Sequence, residues 1–151
     1  DFSMFMQSCV GNEIANALVM DIYSSEFGQW NMSKKMMNRW HGEGTTNVYP
    51  RLIASDPNEN ARFSDRYVED GSYLRMKNLQ LGYTLPSTFT KKFNVSKLRI
   101  YGSIDNVFVL TKYSGFDPEM GDLLGNPLSI GVDLASYPRP RTFVLGFNIS
   151  L

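Results

Sequence analysis

The sequence predicts an all-β chain of long antiparallel strands, and three observations carry that prediction. Residues 79–85 set Leu79, Leu81, Tyr83 and Leu85 against Gln80, Gly82 and Thr84, a period of two with the large apolar groups on one face. The run from 72 to 85 covers about 45 Å at roughly 3.3 Å per residue, against a usual strand of about 5–6 residues, and such length suits a tilted barrel strand. The links between the amphipathic stretches are long, short and long, as in barrels with long excursions on one rim and short turns on the other. A strand of this kind can face a soluble core, or it can face lipid with its polar side in a watery lumen. Composition does not separate the two.

The elements follow in order. In residues 1–9, Phe2, Met4 and Met6 alternate with Ser3, Phe5 and Gln7, a strand that Gly11 and Asn12 end with turn chemistry. Residues 12–65 are too long for a plain turn and predict two helices, over 13–23 and about 33–40, the second capped by Asn31 or Ser33. Residues 69–86 read as one strand, entered by a polar turn at Glu69 and Asp70 and closed by Pro86. Arg75 and Lys77 continue its apolar face beyond Leu79; each would cost roughly 2–4 kcal/mol at a bilayer midplane but can reach headgroups near a rim.

Residues 86–95, with Lys91 and Lys92, form the short polar link. Over 96–110, Leu98, Ile100, Gly102 and Ile104 alternate with Lys97, Arg99, Tyr101, Ser103 and Asp105, making the antiparallel partner of 72–85. Gly115, Pro118, Gly121, Gly125 and Pro127 mark 111–139 as a second long loop. The last stretch, 140–151, alternates without a fault: Phe143, Leu145, Phe147, Ile149 and Leu151 against Thr142, Val144, Gly146, Asn148 and Ser150.

Composition narrows the function classes. The 15 basic and 15 acidic residues cancel and are dispersed, which argues against nucleic acid. No apolar run reaches the about 18 residues of a membrane helix, which leaves barrel strands untouched. The mean hydropathy of −0.26 fits a soluble protein or an outer-membrane barrel. Cys9 is the single cysteine and reads as a small packed residue. His41 is the single histidine, and no GxSxG turn accompanies it, so a catalytic triad is not expected and the chain reads as no enzyme. Asp117, Glu119 and Asp122 offer oxygen ligands for a hard cation without EF-hand spacing, or an ordinary turn; no metal or other cofactor is assigned. Trp30, Trp40, Tyr49, Tyr113 and Tyr137 sit in the long loops, where they pack the loops themselves or present faces to a glycan ring or a partner.

Four segments, RYVEDGSYLRMKNLQLGYTLP, SKLRIYGSIDNVF, TKYSGFDPEM and YPRPRTFVLGFNISL, resemble in order and spacing the C-terminal end of SusC/RagA-type TonB-dependent outer-membrane transporters. The stretch NMSKKMMNRWHGEGTTNVYPRL resembles a loop of the same family, and the likeness runs through residues 1–151. It implies a transmembrane antiparallel β-barrel segment, the last four strands of a 22-stranded, plugged barrel, with the long loops extracellular and the C-terminus periplasmic. Leu151 departs from the aromatic residue that usually ends such a chain. The opening DFSMFMQS reads as a strand already under way and shows no signal peptide, so the chain is expected to be a fragment, with the plug and the TonB-binding segment lying N-terminal to it.

Leu79, Leu81, Tyr83, Phe143, Leu145, Phe147 and Ile149 are then lipid-facing, and Trp30, Trp40, Tyr49 and Tyr137 are candidates to touch substrate or partner. The resemblance further implies import of glycans or oligopeptides across the outer membrane of a Bacteroidetes-like Gram-negative cell. Its implied partners are TonB, the rest of the barrel and a SusD-like surface lipoprotein. The rival is a soluble β-sandwich binding module, which would bury Phe143, Leu145, Phe147 and Ile149 between two sheets.

Overall fold

A computed structural model of the chain describes residues 1–24, 31–119 and 127–151. The strands are β1 Phe2–Cys9, β2 Glu13–Asn16, β3 Val68–Asp70, β4 Tyr73–Thr84, β5 Lys97–Thr111, β6 Val132–Asp133 and β7 Thr142–Ser150; the α-helices are α1 Ala17–Tyr23 and α2 Ser87–Thr90. They gather into two compact units. One takes Asp1–Gly11, Ser72–Lys112 and Pro138–Leu151, the other Asn12–Gly71 and Tyr113–Tyr137.

The first unit is a four-stranded antiparallel meander in the order β1-β4-β5-β7, so each of the four strands expected from the sequence lies beside its neighbours in that series. Its register sorts the side chains. Phe2 stands opposite Leu81, Leu81 opposite Gly102 and Gly102 opposite Leu145; Leu79, Ile104 and Phe143 form the next row, and Tyr83, Ile100 and Phe147 the one on the other side. Because neighbouring residues alternate across a pleated sheet, these rows make one apolar face. Asn78, Gln80 and Gly82, with Asp105, Ser103 and Tyr101 and then Thr142, Val144 and Gly146, make the other.

The polar face is tied across its strands. Asn78 Nδ2 donates to Asp105 Oδ1 at 2.6 Å, and the Arg99 guanidinium grips the Asp1 carboxylate through Nε at 3.0 Å and Nη2 at 2.7 Å. Arg99 also lies over the Tyr101 ring at 4.9 Å. The glycines make room for these two side chains: a Cβ on Gly82 would lie 2.5 Å from Arg99 Nη2, and one on Gly146 2.5 Å from Tyr101 Cζ.

The alternation does not run unbroken to the top of β4. Met6 pairs with Met76 while Phe5 pairs with Asn78, which leaves Lys77 as an extra residue in β4; against β5 the step from Asn78↔Asp105 to Met76↔Phe108 leaves an extra residue in β5 as well. Asn106, in this interval, has φ 52°, and its Nδ2 donates to the Pro140 carbonyl at 3.0 Å. The extra residue in β4 reverses which of its residues face which side, while β5 keeps its even positions on the apolar face. Above the bulge Met76 and Leu74 therefore continue the apolar face, opposite Phe108 and Leu110, and Arg75 turns to the polar face, where it is buried at 3% exposure. The expectation that Arg75 follows the apolar face is corrected. It shares the polar side with Tyr73, whose hydroxyl accepts from Gln7 Nε2 at 3.1 Å.

The second unit holds a three-stranded sheet in the order β3-β2-β6, with β2 antiparallel to β3 and parallel to β6. Two expectations change here. Residues 13–16 form β2 rather than the first turns of a helix; the helix starts at Ala17, with Asn16 as its cap. Glu69 and Asp70 belong to β3, in a different sheet from β4, so residues 69–86 are two strands and not one. The reason is a partner distant in sequence: Ile14 is 1% exposed, and β2 gains strand neighbours from both long excursions at once. The second expected helix shrinks to a 3-10 stretch over Lys34–Asn38, capped by the Ser33 hydroxyl, which accepts from Lys35 N at 3.3 Å.

Candidate functional site

Two arrangements bear on function, one in each unit. The first is the divided wall of β1, β4, β5 and β7. Leu81 is 66% exposed, Tyr83 64%, Phe143 71%, Leu145 82%, Phe147 70% and Ile149 53%, whereas Leu79 is half-buried. Burial of β7 between two sheets, which a sandwich requires, is not what these exposures describe. In water such a face is unfavourable at roughly 25 cal/mol for each Å² of apolar surface left uncovered. Contiguous apolar surface of this extent marks an interaction or membrane surface.

The second is a knot of polar side chains, with Asn16, Tyr113 and Asp133 buried, that fastens the two excursions together. Asn16, fully buried, is held from both: its Nδ2 donates to Glu69 Oε1 at 2.8 Å and to Ser114 Oγ at 3.3 Å, while its Oδ1 accepts from Val19 N at 3.0 Å and so caps α1. Glu69 also accepts from the Ser114 hydroxyl at 2.7 Å and from Ser114 N at 2.9 Å. Nearby, the Tyr113 hydroxyl donates to Asp133 Oδ2 at 2.5 Å, and Ser136 N donates to Asp133 Oδ1 at 2.8 Å. Burial, then the bond to Asp133 and the negative charges of Asp133 and Glu69, push the Tyr113 phenol well above its ordinary range. Buried polar groups are costly unless paired, and this set is paired across residues 53 and 98 positions apart in sequence.

The sequence-predicted loop aromatics are not gathered into one site. Tyr49 packs edge-on against Tyr23 with ring centres 5.5 Å apart, and Arg66 lies 5.4 Å over its ring while donating to the Val48 carbonyl at 2.9 Å. Trp40 is half-buried, and its backbone N–H donates to the Tyr49 carbonyl at 3.0 Å. Tyr137 is 89% exposed. Trp30 lies outside the described residues, as do Gly121, Asp122 and Gly125. Tyr113, one of the aromatics in the sequence reading, is buried at the knot.

Sequence reasoning missed Asn16, Glu69, Ser114, Asp133 and Ser136 as a set. The one signal available was Asn16 standing directly before an apolar helical run, a cap position. Residues considered for chemistry are held by ordinary loop contacts: His41 N donates to the Thr45 hydroxyl at 3.1 Å, and Asp117 Oδ1 accepts from Glu119 N at 2.9 Å. Among the described residues no three His, Cys, Asp or Glu side chains are grouped as metal ligands.

Comparison with known proteins gives consistent results. No family model matches the chain. TonB-dependent receptor P3 of Formosa agariphila is 37% identical over 153 residues, covering 99% of this chain and 15% of that protein. TonB-dependent receptor SusC of Bacteroides thetaiotaomicron is 33% identical over 87 residues, covering 57% of this chain and 8% of that protein. Among solved structures, the RagAB peptide importer in its open-open state superposes with a TM-score of 0.76 at 30% identity, over 99% of this chain and 15% of that one. The chain thus spans about 15% of the length of the relatives it matches end to end.

Proposed function

We propose, from the premise that this chain is a segment of a SusC/RagA-like TonB-dependent transporter, that residues 1–151 are the C-terminal part of its outer-membrane β-barrel, the last four of 22 strands. The observation that carries this reading is the registered division of one antiparallel meander into an apolar face and a polar face over β1, β4, β5 and β7. A barrel strand that puts lipid on one side and a watery lumen on the other needs that division. The outer edges of β1 and β7 are open in this sheet, and open edges inside lipid are unfavourable, so the remaining strands of the barrel are their partners.

Leu79, Leu81, Tyr83, Phe143, Leu145, Phe147 and Ile149 then face lipid, and the two long excursions lie on the extracellular side. The whole transporter imports oligopeptides or glycans, energised through TonB at a segment outside this chain, with a SusD-like lipoprotein over the mouth. RagAB supports the peptide and SusC the kinship with the wider group. Trp40, Tyr49, Tyr137 and, outside the described residues, Trp30 are the candidates to meet substrate or lipoprotein. The chain carries out no chemical step in this scheme; it is wall and mouth.

Topology is the decisive test. An impermeant label applied to intact cells is expected to reach cysteines placed in residues 55–60, while cysteines at Lys91 and Lys92 react once the outer membrane is opened. Labelling at Lys91 from outside would overturn the orientation.

A further inference from the structure

Gly102 differs from the other strand glycines of the sheet. Gly82 and Gly146 are each crowded by a side chain, Arg99 or Tyr101, that a Cβ would strike. At Gly102 the nearest atom to such a Cβ is the Val144 carbonyl oxygen at 3.8 Å, an ordinary contact, and its φ is not left-handed. Nothing within the described chain demands a glycine there, although glycine weakens a strand interior and often marks a place where another molecule comes close. It sits in the middle of the apolar face, between Leu81 and Leu145. Gly102 lies in a shallow, open depression of about 460 Å³ whose apolar lining includes Leu79, Leu81, Ile104, Phe143 and Leu145.

We propose that this groove seats one acyl chain of an outer-membrane lipid. The inference rests on the reading of this face as lipid-facing and deepens it: the wall is notched for a chain rather than uniformly greasy. Two features select the occupant. The rows around Gly102 carry no charged side chain, from Phe2 and Met4 through Leu79 and Leu81 to Phe143 and Leu145. In addition, β4 and β5 are interior strands with both neighbours in place, so their backbone groups are committed to the ladder. An extended polypeptide laid in the groove would bring N–H and C=O groups that find no partner there. A hydrocarbon chain brings none and gains close contact along the notch.

The test uses the whole transporter, reconstituted in phosphatidylethanolamine vesicles with a trace of the same lipid bearing a diazirine in its acyl chain, and maps photo-adducts by peptide mass spectrometry. Adducts are expected to concentrate at Leu79–Leu81 and Phe143–Leu145 over the rest of the apolar face. Gly102→Ala, whose methyl takes up room the acyl chain would fill, is expected to lower them, and Gly102→Leu to abolish the local excess. Both variants are first checked for assembly by protease resistance. Even labelling along the face that ignores Gly102→Ala overturns the groove and leaves the lipid-facing reading standing. Adducts of this face with a second polypeptide, in place of lipid, overturn the acyl chain as occupant. Absence of lipid adducts over the whole face overturns both the groove and the lipid-facing reading.

Discussion

Phe147 and Asn148 are adjacent in β7 and point to opposite faces, Phe147 in register with Ile100 and Asn148 with Arg99. If the apolar side meets lipid, Phe147→Arg costs about 2–4 kcal/mol near mid-bilayer and impairs assembly, whereas Asn148→Arg, beside a lumen already holding Arg99, is mild. The amounts of assembled transporter in outer-membrane fractions compare the two; equal losses would reverse the assigned faces. A second residue-scale prediction concerns Tyr113, which lies beyond the end of β5. Its phenol binds a proton more tightly in the folded chain than its ordinary 10.0, so its contribution to stability is complete below about pH 10 and is lost as pH rises above that. Tyr113→Phe removes the donor to a buried carboxylate, costs about 1–3 kcal/mol in the loop unit, and flattens its alkaline loss, read by limited proteolysis across pH. Leucine and phenylalanine positions of this wall were legible because their spacing repeats at two. Asn16 and Asp133 were not, because nothing local distinguishes a polar residue that will be buried by a partner far along the chain.

Among the elements, three of the wall strands were legible to within a residue or two of their ends, β4 was read as starting four residues too early, and the bulge was the feature that period-two reading passed over. Its trace was nevertheless present in the sequence. Apolar residues occupy odd positions at 79, 81 and 83 but even positions at 74 and 76, and β5 keeps its even positions on the apolar face, at 104 and 108, through its own extra residue. A change of parity inside one strand is the mark of an inserted residue. The short strands β2, β3 and β6 carried no such mark, being four, three and two residues long and set by pairing distant in sequence. A prediction belongs to the crossing of β5 with β7. Gly146→Val pushes the Tyr101 ring off its seat and costs about 1–3 kcal/mol as overpacking. Tyr101→Ala in the same chain relieves part of that cost, so the two substitutions are non-additive. Urea unfolding of the detergent-solubilised transporter measures the cycle, and strict additivity would show that the ring and the glycine are independent.

At the scale of the whole molecule, the asymmetry of long and short links was legible, but the fact that the two long links make one folded body was not. In the proposed orientation that body is the mouth. Trp40→Ala or Tyr137→Ala is expected to weaken lipoprotein association or uptake by an amount equivalent to about 2 kcal/mol, the scale of an anchor residue, with barrel assembly unchanged. Parental uptake and an unchanged lipoprotein complex in both variants would assign these aromatics to loop packing alone. The knot carries a consequence for recombination between relatives. Asn16 and Glu69 come from one excursion, and Ser114, Tyr113 and Asp133 from the other. A chimera that imports residues 12–71 from a homologue and keeps the resident 113–137 mates unmatched halves and strands buried polar groups. The two excursions are therefore best transplanted together, as a pair of segments that the gene keeps apart and the fold does not.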